Sequence, residues 1–208
     1  MSDLHPDADA ADTGLRRVGL FGGAFDPPHL AHQAVARAAL TQLRLDRLHI
    51  VPTGDAWHKP RALSAAADRL AMCQLAFADI AGVCVDAREL RRAGPTYTID
   101  TLAELRAQYP QAELFLQIGS DQAAAFHTWR HAAEIGQLAT IVIAARSDAR
   151  AAATQTGFAS ARTLKLPPMP HSATAVRQRV AARQPLDDLL PAAVARYIAD
   201  HHLYQTNR

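Results

Sequence analysis

The run Gly22-Gly23-Ala24-Phe25-Asp26-Pro27-Pro28-His29-Leu30-Ala31-His32 combines the residue types that grip an anion. Paired glycines let the chain leave a strand sharply and let a ligand come close to the backbone, where a β-carbon would stand in the way. Two successive prolines fix φ, so the loop loses less entropy when it is ordered. His29 and His32 are three residues apart, a spacing that puts both imidazoles on one face of a helix. A helix beginning here adds unpaired N–H groups and a positive dipole end at the same spot. The chemistry implied is phosphate binding, by histidines whose protonation an arriving polyphosphate favours. The bland alternative is a tight turn beside two solvated histidines. A zinc site is a poor match, since no third ligand stands nearby and the spacing is not that of a metalloprotease helix. Neither G-x-x-x-x-G-K-[ST] nor G-x-G-x-x-G occurs.

A second group of the same kind is Ser172, Thr174 and Arg177, where hydroxyls, free helix N–H groups and a guanidinium can clasp a phosphate tail. Its alternative is an ordinary N-cap serine with a solvated arginine. Lys59, beside His58, is one of only two lysines, the other being Lys165. In a loop it is either a mobile point charge for phosphates or a plain surface lysine. Asp121, after Gly119, can accept ribose hydroxyls or cap a helix. Trp129 either stacks on a ligand ring or fills space in the core.

These residues need a frame that gathers them. Apolar β-type segments near Arg17–Phe21, Leu48–Val51, Val83–Asp86, Leu114–Ile118 and Thr140–Ala144 alternate with helical patterns near Leu30–Leu43, Ala65–Asp79, Ile99–Gln108 and His131–Gln137. Ser64 and Thr98 are the expected N-caps. This alternation predicts an α/β fold, a doubly wound Rossmann-like parallel sheet with helices on both faces. A short strand near Thr163–Leu166 precedes helices over Ala173–Arg183 and Leu189–Leu203, expected to pack on the same domain. Ligands bind such sheets beyond the carboxyl edge, where the Gly22 loop and the segments after Val51, Asp86 and Ile118 should meet.

Composition narrows the classes. The chain has 208 residues, long enough for one domain with a substantial core. Residues 1–14 carry Asp3, Asp7, Asp9 and Asp12 with few large apolar side chains and read as a disordered tail, leaving 15–208 as a single domain. A formal net charge of +2 and the absence of any Lys/Arg block argue against a nucleic-acid surface. No apolar run is long enough to span a bilayer. Cys73 and Cys84 lack a C-x-x-C arrangement and read as small buried apolar residues, which suits the cytoplasm.

At the Gly22–His32 loop the chain resembles the nucleotidylyltransferase superfamily, whose signature is a Gly-Gly-Thr-Phe-Asp-Pro-type loop running into His-x-Gly-His. Ala24 stands for the Thr and Ala31 for the Gly. The likeness runs from about Val18 to Tyr204 and narrows to bacterial nicotinate-nucleotide adenylyltransferases. Its landmarks are Val51-Pro52 with Trp57-His58-Lys59-Pro60, and Arg88-Glu89-Leu90 leading to Pro95-Thr96-Tyr97-Thr98. Ile118-Gly119-Ser120-Asp121 leading to Thr128-Trp129 follows, then Ser172-Ala173-Thr174 with Arg177, and Asp188-Leu189-Leu190-Pro191. The family usually has Ile where His171 stands and Pro-Pro-His around Trp57.

The resemblance implies transfer of the AMP part of ATP to nicotinate mononucleotide, giving deamido-NAD and pyrophosphate. ATP contacts are then expected from Gly22, Gly23, Ala24, Phe25, His29, His32, Ser172, Thr174 and Arg177, with His29, His32, Lys59 and Arg177 serving catalysis. Nicotinate mononucleotide is expected at His58, Tyr97, Thr98, Gly119, Asp121, Trp129 and Arg130. Mg2+ would arrive on the ATP phosphates and require no dedicated protein ligands. Rival readings are a related adenylyltransferase acting on nicotinamide mononucleotide or pantetheine phosphate, and a nucleotide-binding regulatory module without turnover. Assembly into a homo-oligomer is left open.

Overall fold

The computed structural model describes residues 14–54, 63–144 and 161–205. Its frame is one six-stranded sheet in the order β3-β2-β1-β4-β5-β6, every pairing parallel. The strands are β1 Arg17–Gly23, β2 Arg47–Pro52, β3 Val83–Val85, β4 Glu113–Gly119, β5 Thr140–Ala144 and β6 Arg162–Leu164. Strand order reverses at β1, which lies between β2 and β4. Loops leaving adjacent strands on either side of such a switch point diverge and open a crevice.

Helices cover both faces. On one face α1 (Leu30–Leu43) and α2 (Ala66–Phe77) pack with α7 (Ala173–Ala181) and α8 (Ala192–Asp200) through Ala36, Ala39, Phe77, Val176, Val194 and Ile198. On the other, α4 (Thr98–Gln108), α5 (Ser120–Ala124) and α6 (Ala132–Leu138) bury Leu102, Leu105, Ala123 and Ile135 against Val18, Leu20, Leu116 and Ile141. β1 and β4 are buried on both sides, which is why they read as continuous apolar runs.

Element ends differ from expectation where local chemistry is stronger than periodicity. The last helix starts at Ala192, after Pro191, and stops at Asp200. Ala65, not Ser64, occupies the N-cap of α2, because Ser64 N–H is drawn to the Asp26 carboxylate. Tyr97 occupies the N-cap of α4, making Thr98 its first residue. The four-residue helix α3 (Arg88–Arg91), α5, and the 3-10 turn Phe126–Thr128 are too short to leave a periodic signal.

A chain of buried polar groups stiffens the β2–β3 edge. His49 Nδ1 lies 2.9 Å from Asp86 Oδ2, and His49 Nε2 lies 3.1 Å from the Tyr109 hydroxyl. Arg88 Nε donates to the same carboxylate at 2.7 Å. Because a carboxylate only accepts, the His49 proton sits on Nδ1 and Nε2 accepts from tyrosine. Burial is the larger influence on His49 and pushes its pKa below the ordinary 6.5, against the pull of Asp86. Burial would raise the Asp86 carboxyl, but hydrogen bonds from His49 and Arg88 override it and hold it far below the usual range. Folding therefore lowers the proton affinity of His49. Its contribution to stability is complete above pH 6.5 and is lost as pH falls below that value. Between pH 7 and pH 5 the protein is expected to lose more unfolding free energy than its His49→Gln variant. Urea melts at the two pH values check this, and parallel losses would contradict it.

Candidate active site

The signature loop turns later than its glycines suggest. Gly22 and Gly23 are still in β1, and both are paired in register with β2. A Cβ at Gly22 would meet only the Val51 carbonyl, 4.0 Å away, so that edge stays open to a ligand. A Cβ at Gly23 would press on the Phe25 ring at 3.2 Å. The turn is made at Phe25, with φ at +46°, and by the cis peptide between Asp26 and Pro27. Left-handed backbone at a phenylalanine costs on the order of 1 kcal/mol. Edge-on contacts to Phe21, His32 and Phe77, at ring separations of 5.5, 5.0 and 6.1 Å, offset that cost.

Asp26 anchors the loop from remote parts of the chain. Its Oδ1 accepts from the Tyr204 hydroxyl at 2.6 Å and its Oδ2 from Ser64 N–H at 3.2 Å. Its carbonyl accepts from Arg177 Nη1 at 2.7 Å. Arg69, 2% exposed, donates to the Ala24 carbonyl at 3.0 Å and the Ser64 carbonyl at 3.1 Å. Burial and the neighbouring carboxylate push the Tyr204 hydroxyl well above its usual pKa, so it remains a donor.

His29 is the N-cap of α1, and its backbone N–H donates to His32 Nδ1 at 3.1 Å. In neutral His32 this places the proton on Nε2, which makes that atom a donor. The two rings stack with centroids 3.8 Å apart. Leu30 N–H donates to the Leu189 carbonyl, tying the start of α1 to the turn before α8. His171 lies beside the pair, its ring 6.5 Å from that of His29 and its Nε2 donating to the Asp188 carbonyl at 2.7 Å. Ser172 caps α7 by accepting from Ala175 N–H at 3.1 Å. Arg177 spans from α7 to the loop, with Nη2 on Thr174 Oγ1 at 3.2 Å and Nη1 on Asp26. The two anion-gripping groups read from the sequence are thus physically joined.

A cavity of about 440 Å³ opens from the same loop on the other side of the sheet edge. Gly22, Gly23 and Ala24 line it together with Tyr97, Thr98, Gly119, Trp129 and Arg130. The Arg130 guanidinium lies 4.6 Å above the Tyr97 ring, and half-buried Trp129 packs on Phe126 at 5.1 Å. Trp129 is therefore both packing and wall. Asp121, in the first turn of α5, is exposed and does not line this cavity, while Gln122 does. His58 and Lys59 lie outside the described residues. Thr53 and Glu89 line the cavity as well, and Arg69 and Tyr204 hold the loop; none of these four carried a role in the sequence reading. Only proximity across the fold reveals them. Among the described residues no three His, Cys, Asp or Glu side chains gather as a metal site.

A Rossmann-like sheet with a histidine-bearing loop at its switch point defines a nucleotidyl-transfer class of protein, and the comparisons agree. The model of the cytidylyltransferase-like family matches residues 20–179. A probable nicotinate-nucleotide adenylyltransferase of Albidiferax ferrireducens is 52% identical over 197 residues, covering 92% of this chain and 100% of that protein. One from Methylibium petroleiphilum is 39% identical, covering 93% and 94% respectively. The solved nicotinic acid mononucleotide adenylyltransferase of Plasmodium falciparum, complexed with NaAD, shares the fold with a TM-score of 0.77 at 16% identity, covering 92% of this chain and 98% of that one. The chain belongs to the nicotinate-nucleotide adenylyltransferase family.

Proposed function

We propose that this protein joins nicotinate mononucleotide to the AMP part of ATP, releasing pyrophosphate and deamido-NAD. The observation that carries the reading is the Gly22–Ala24 edge, which borders the imidazole pair at the start of α1 on one side and the cavity of Tyr97, Thr98 and Trp129 on the other. A nucleotide laid along this edge brings its α-phosphate to the junction of the two regions. The 5′-phosphate of the pyridine nucleotide attacks phosphorus in line and pyrophosphate leaves. No protein nucleophile is needed, because the attacking group is already an anion. The task of the chain is alignment and charge compensation.

In this reading His32 donates from Nε2 to a phosphate oxygen, His29 supports it by stacking, and Arg177 with Thr174 and Ser172 receives the polyphosphate tail. Lys59 adds a point charge for the phosphates. Gly22, Gly23, Ala24 and Phe25 shape the approach of ATP. The first turn of α4 has no side-chain cap, so its N–H groups can receive the pyridine carboxylate. Arg130 adds positive charge there, Trp129 offers its ring face to the pyridine, and Gly119 leaves room at the end of β4. Asp121 and His58 serve the ribose and phosphate of the same nucleotide.

The donor set at the proposed phosphate site is imidazole, hydroxyl and guanidinium, and both Asp26 carboxylate oxygens are engaged with Tyr204 and Ser64. That chemistry fits Mg2+ that would be held by ATP phosphates and water and would supply charge compensation for the leaving pyrophosphate. No helix among the described residues is long and apolar enough to cross a membrane. Cys73 and Cys84 are free thiols, as suits a reducing cytoplasmic setting.

The test is pyrophosphate release with Mg-ATP and the acid or amide mononucleotide in parallel. Donors arranged around a charged group reject an analogue lacking it, so kcat/KM for the acid is expected to exceed that for the amide by about 10³-fold or more. Equal rates, or preference for the amide, would overturn the choice of substrate.

A further inference from the structure

Glu89 is buried, at 7% exposure, yet it lines the cavity proposed for the pyridine nucleotide and has no role in the chemistry above. Its carboxylate accepts from the Thr101 hydroxyl at 2.8 Å, one turn into α4, and from the backbone N–H of Gly54. Gly54 directly follows Thr53, which lines the same cavity. The approach is tight: a Cβ at Gly54 would stand 2.2 Å from the Glu89 carbonyl oxygen and 2.9 Å from the Thr96 methyl group. One side chain thus bridges the exit of β2 and the start of α4. Arg92 completes the connection from outside, donating from Nη1 to Thr101 Oγ1 at 3.3 Å and from Nη2 to Glu104 at 2.5 Å.

Burying a carboxylate costs free energy unless its acceptor sites are filled, so such a group persists where its hydrogen bonds determine a geometry. The geometry here is the distance and angle between two cavity walls. Thr53 belongs to one, and Tyr97 and Thr98, at the uncapped start of α4, belong to the other. Nothing in the contacts of Glu89 touches α1, α7 or the Asp26 loop.

We propose that Glu89 is a positioning residue for the pyridine-nucleotide subsite, a strut that sets the first turn of α4 against the loop after β2 and leaves the ATP side unaffected. The inference rests on the adenylyl-transfer reading. Glu89→Ala removes the strut and is expected to raise KM for nicotinate mononucleotide about 10- to 100-fold, because small misplacements of binding groups are amplified at a preorganised site. KM for ATP should stay within about twofold, since the ATP-side contacts are made by other elements. Glu89→Gln keeps the length and one acceptor oxygen but puts an NH2 in place of the other, so it should rescue KM in part, to a value between those of wild type and Glu89→Ala. Glu89→Asp is one methylene too short for both bonds and should behave like Ala.

Steady-state kinetics with each substrate varied in turn, alongside thermal melts, test this. Thr101→Val deletes the hydroxyl that donates to Glu89 and accepts from Arg92, and provides the same test should Glu89→Ala not fold. It is expected to raise KM for the pyridine nucleotide roughly 3- to 10-fold, again without changing that for ATP. Equal rises in both KM values, or unchanged KM for the pyridine nucleotide in both variants, would overturn the proposal. A wild-type protein inactive toward both the acid and amide mononucleotides would instead refute the reaction assigned above.

Discussion

Replacing His32 with alanine is expected to cut kcat by about 10²- to 10³-fold while the protein stays folded. The size follows from the geometry of the imidazole. His32 Nδ1 is committed to the His29 backbone N–H at 3.1 Å, and the ring is sandwiched between His29 at 3.8 Å and Phe25 at 5.0 Å. Its orientation and tautomer are therefore set before any substrate arrives. In the proposed reaction Nε2–H would meet charge that develops at phosphorus without having to reorganise. Such a donor contributes more in the transition state than in the ground state, so kcat should fall much further than KM for ATP rises. The structural cost is modest, because alanine is a better helix former, although the bond to the cap and the ring contacts to His29 and Phe25 are lost. A shift in Tm of no more than a few degrees is expected. Turnover within about fivefold of wild type would remove His32 from the catalytic group.

Arg69→Met is expected to produce the largest loss of stability, about 3–5 kcal/mol, or on the order of 10 °C in Tm. The guanidinium is 2% exposed and supplies the donors for the Ala24 and Ser64 carbonyls at 3.0 and 3.1 Å. It also offsets the charge of buried Asp26, its strongest opposing partner against the cost of burial. Methionine fills similar space but leaves two carbonyls and a carboxylate without that cation. The loss falls on the segment that carries Phe25 in left-handed backbone and delivers His29 to the start of α1. Activity should therefore fall below detection near the lowered Tm and partly return on cooling. Chemical denaturation of the two proteins measures the difference, and a change below 1 kcal/mol would show that Asp26 is held by Tyr204 and Ser64 alone.

Much of the frame was legible residue by residue. Val18, Leu20 and Phe21 in β1, and Leu114 to Ile118 in β4, are apolar without interruption because both faces of a parallel sheet are covered. Helix α1 runs over Leu30–Leu43 as its periodicity predicts. The short elements α3, α5 and the 3-10 turn escaped, since three to five residues do not establish a period. The glycines keep the edge of β1 open as expected and make room for Phe25, but the sharp turn expected of them is made by the backbone of Phe25 itself. A position with positive φ is expected to be glycine, and only an aromatic surround makes a phenylalanine tenable there.

By itself the sequence determined the alternation of strand and helix, the anion-gripping residue types at Gly22–His32 and Ser172–Arg177, and the family to which both belong. Those are properties of neighbours along the chain, where periodicity and backbone chemistry act over a few residues. The tertiary structure alone decided that Tyr204, Arg69 and Arg177 converge on residues 24–26, that Asp121 stands outside the cavity, and that Glu89 bridges Gly54 to Thr101. These contacts depend on how the sheet twists and which helices its faces bury. Their partners lie on separate elements of the fold, so no local pattern records them.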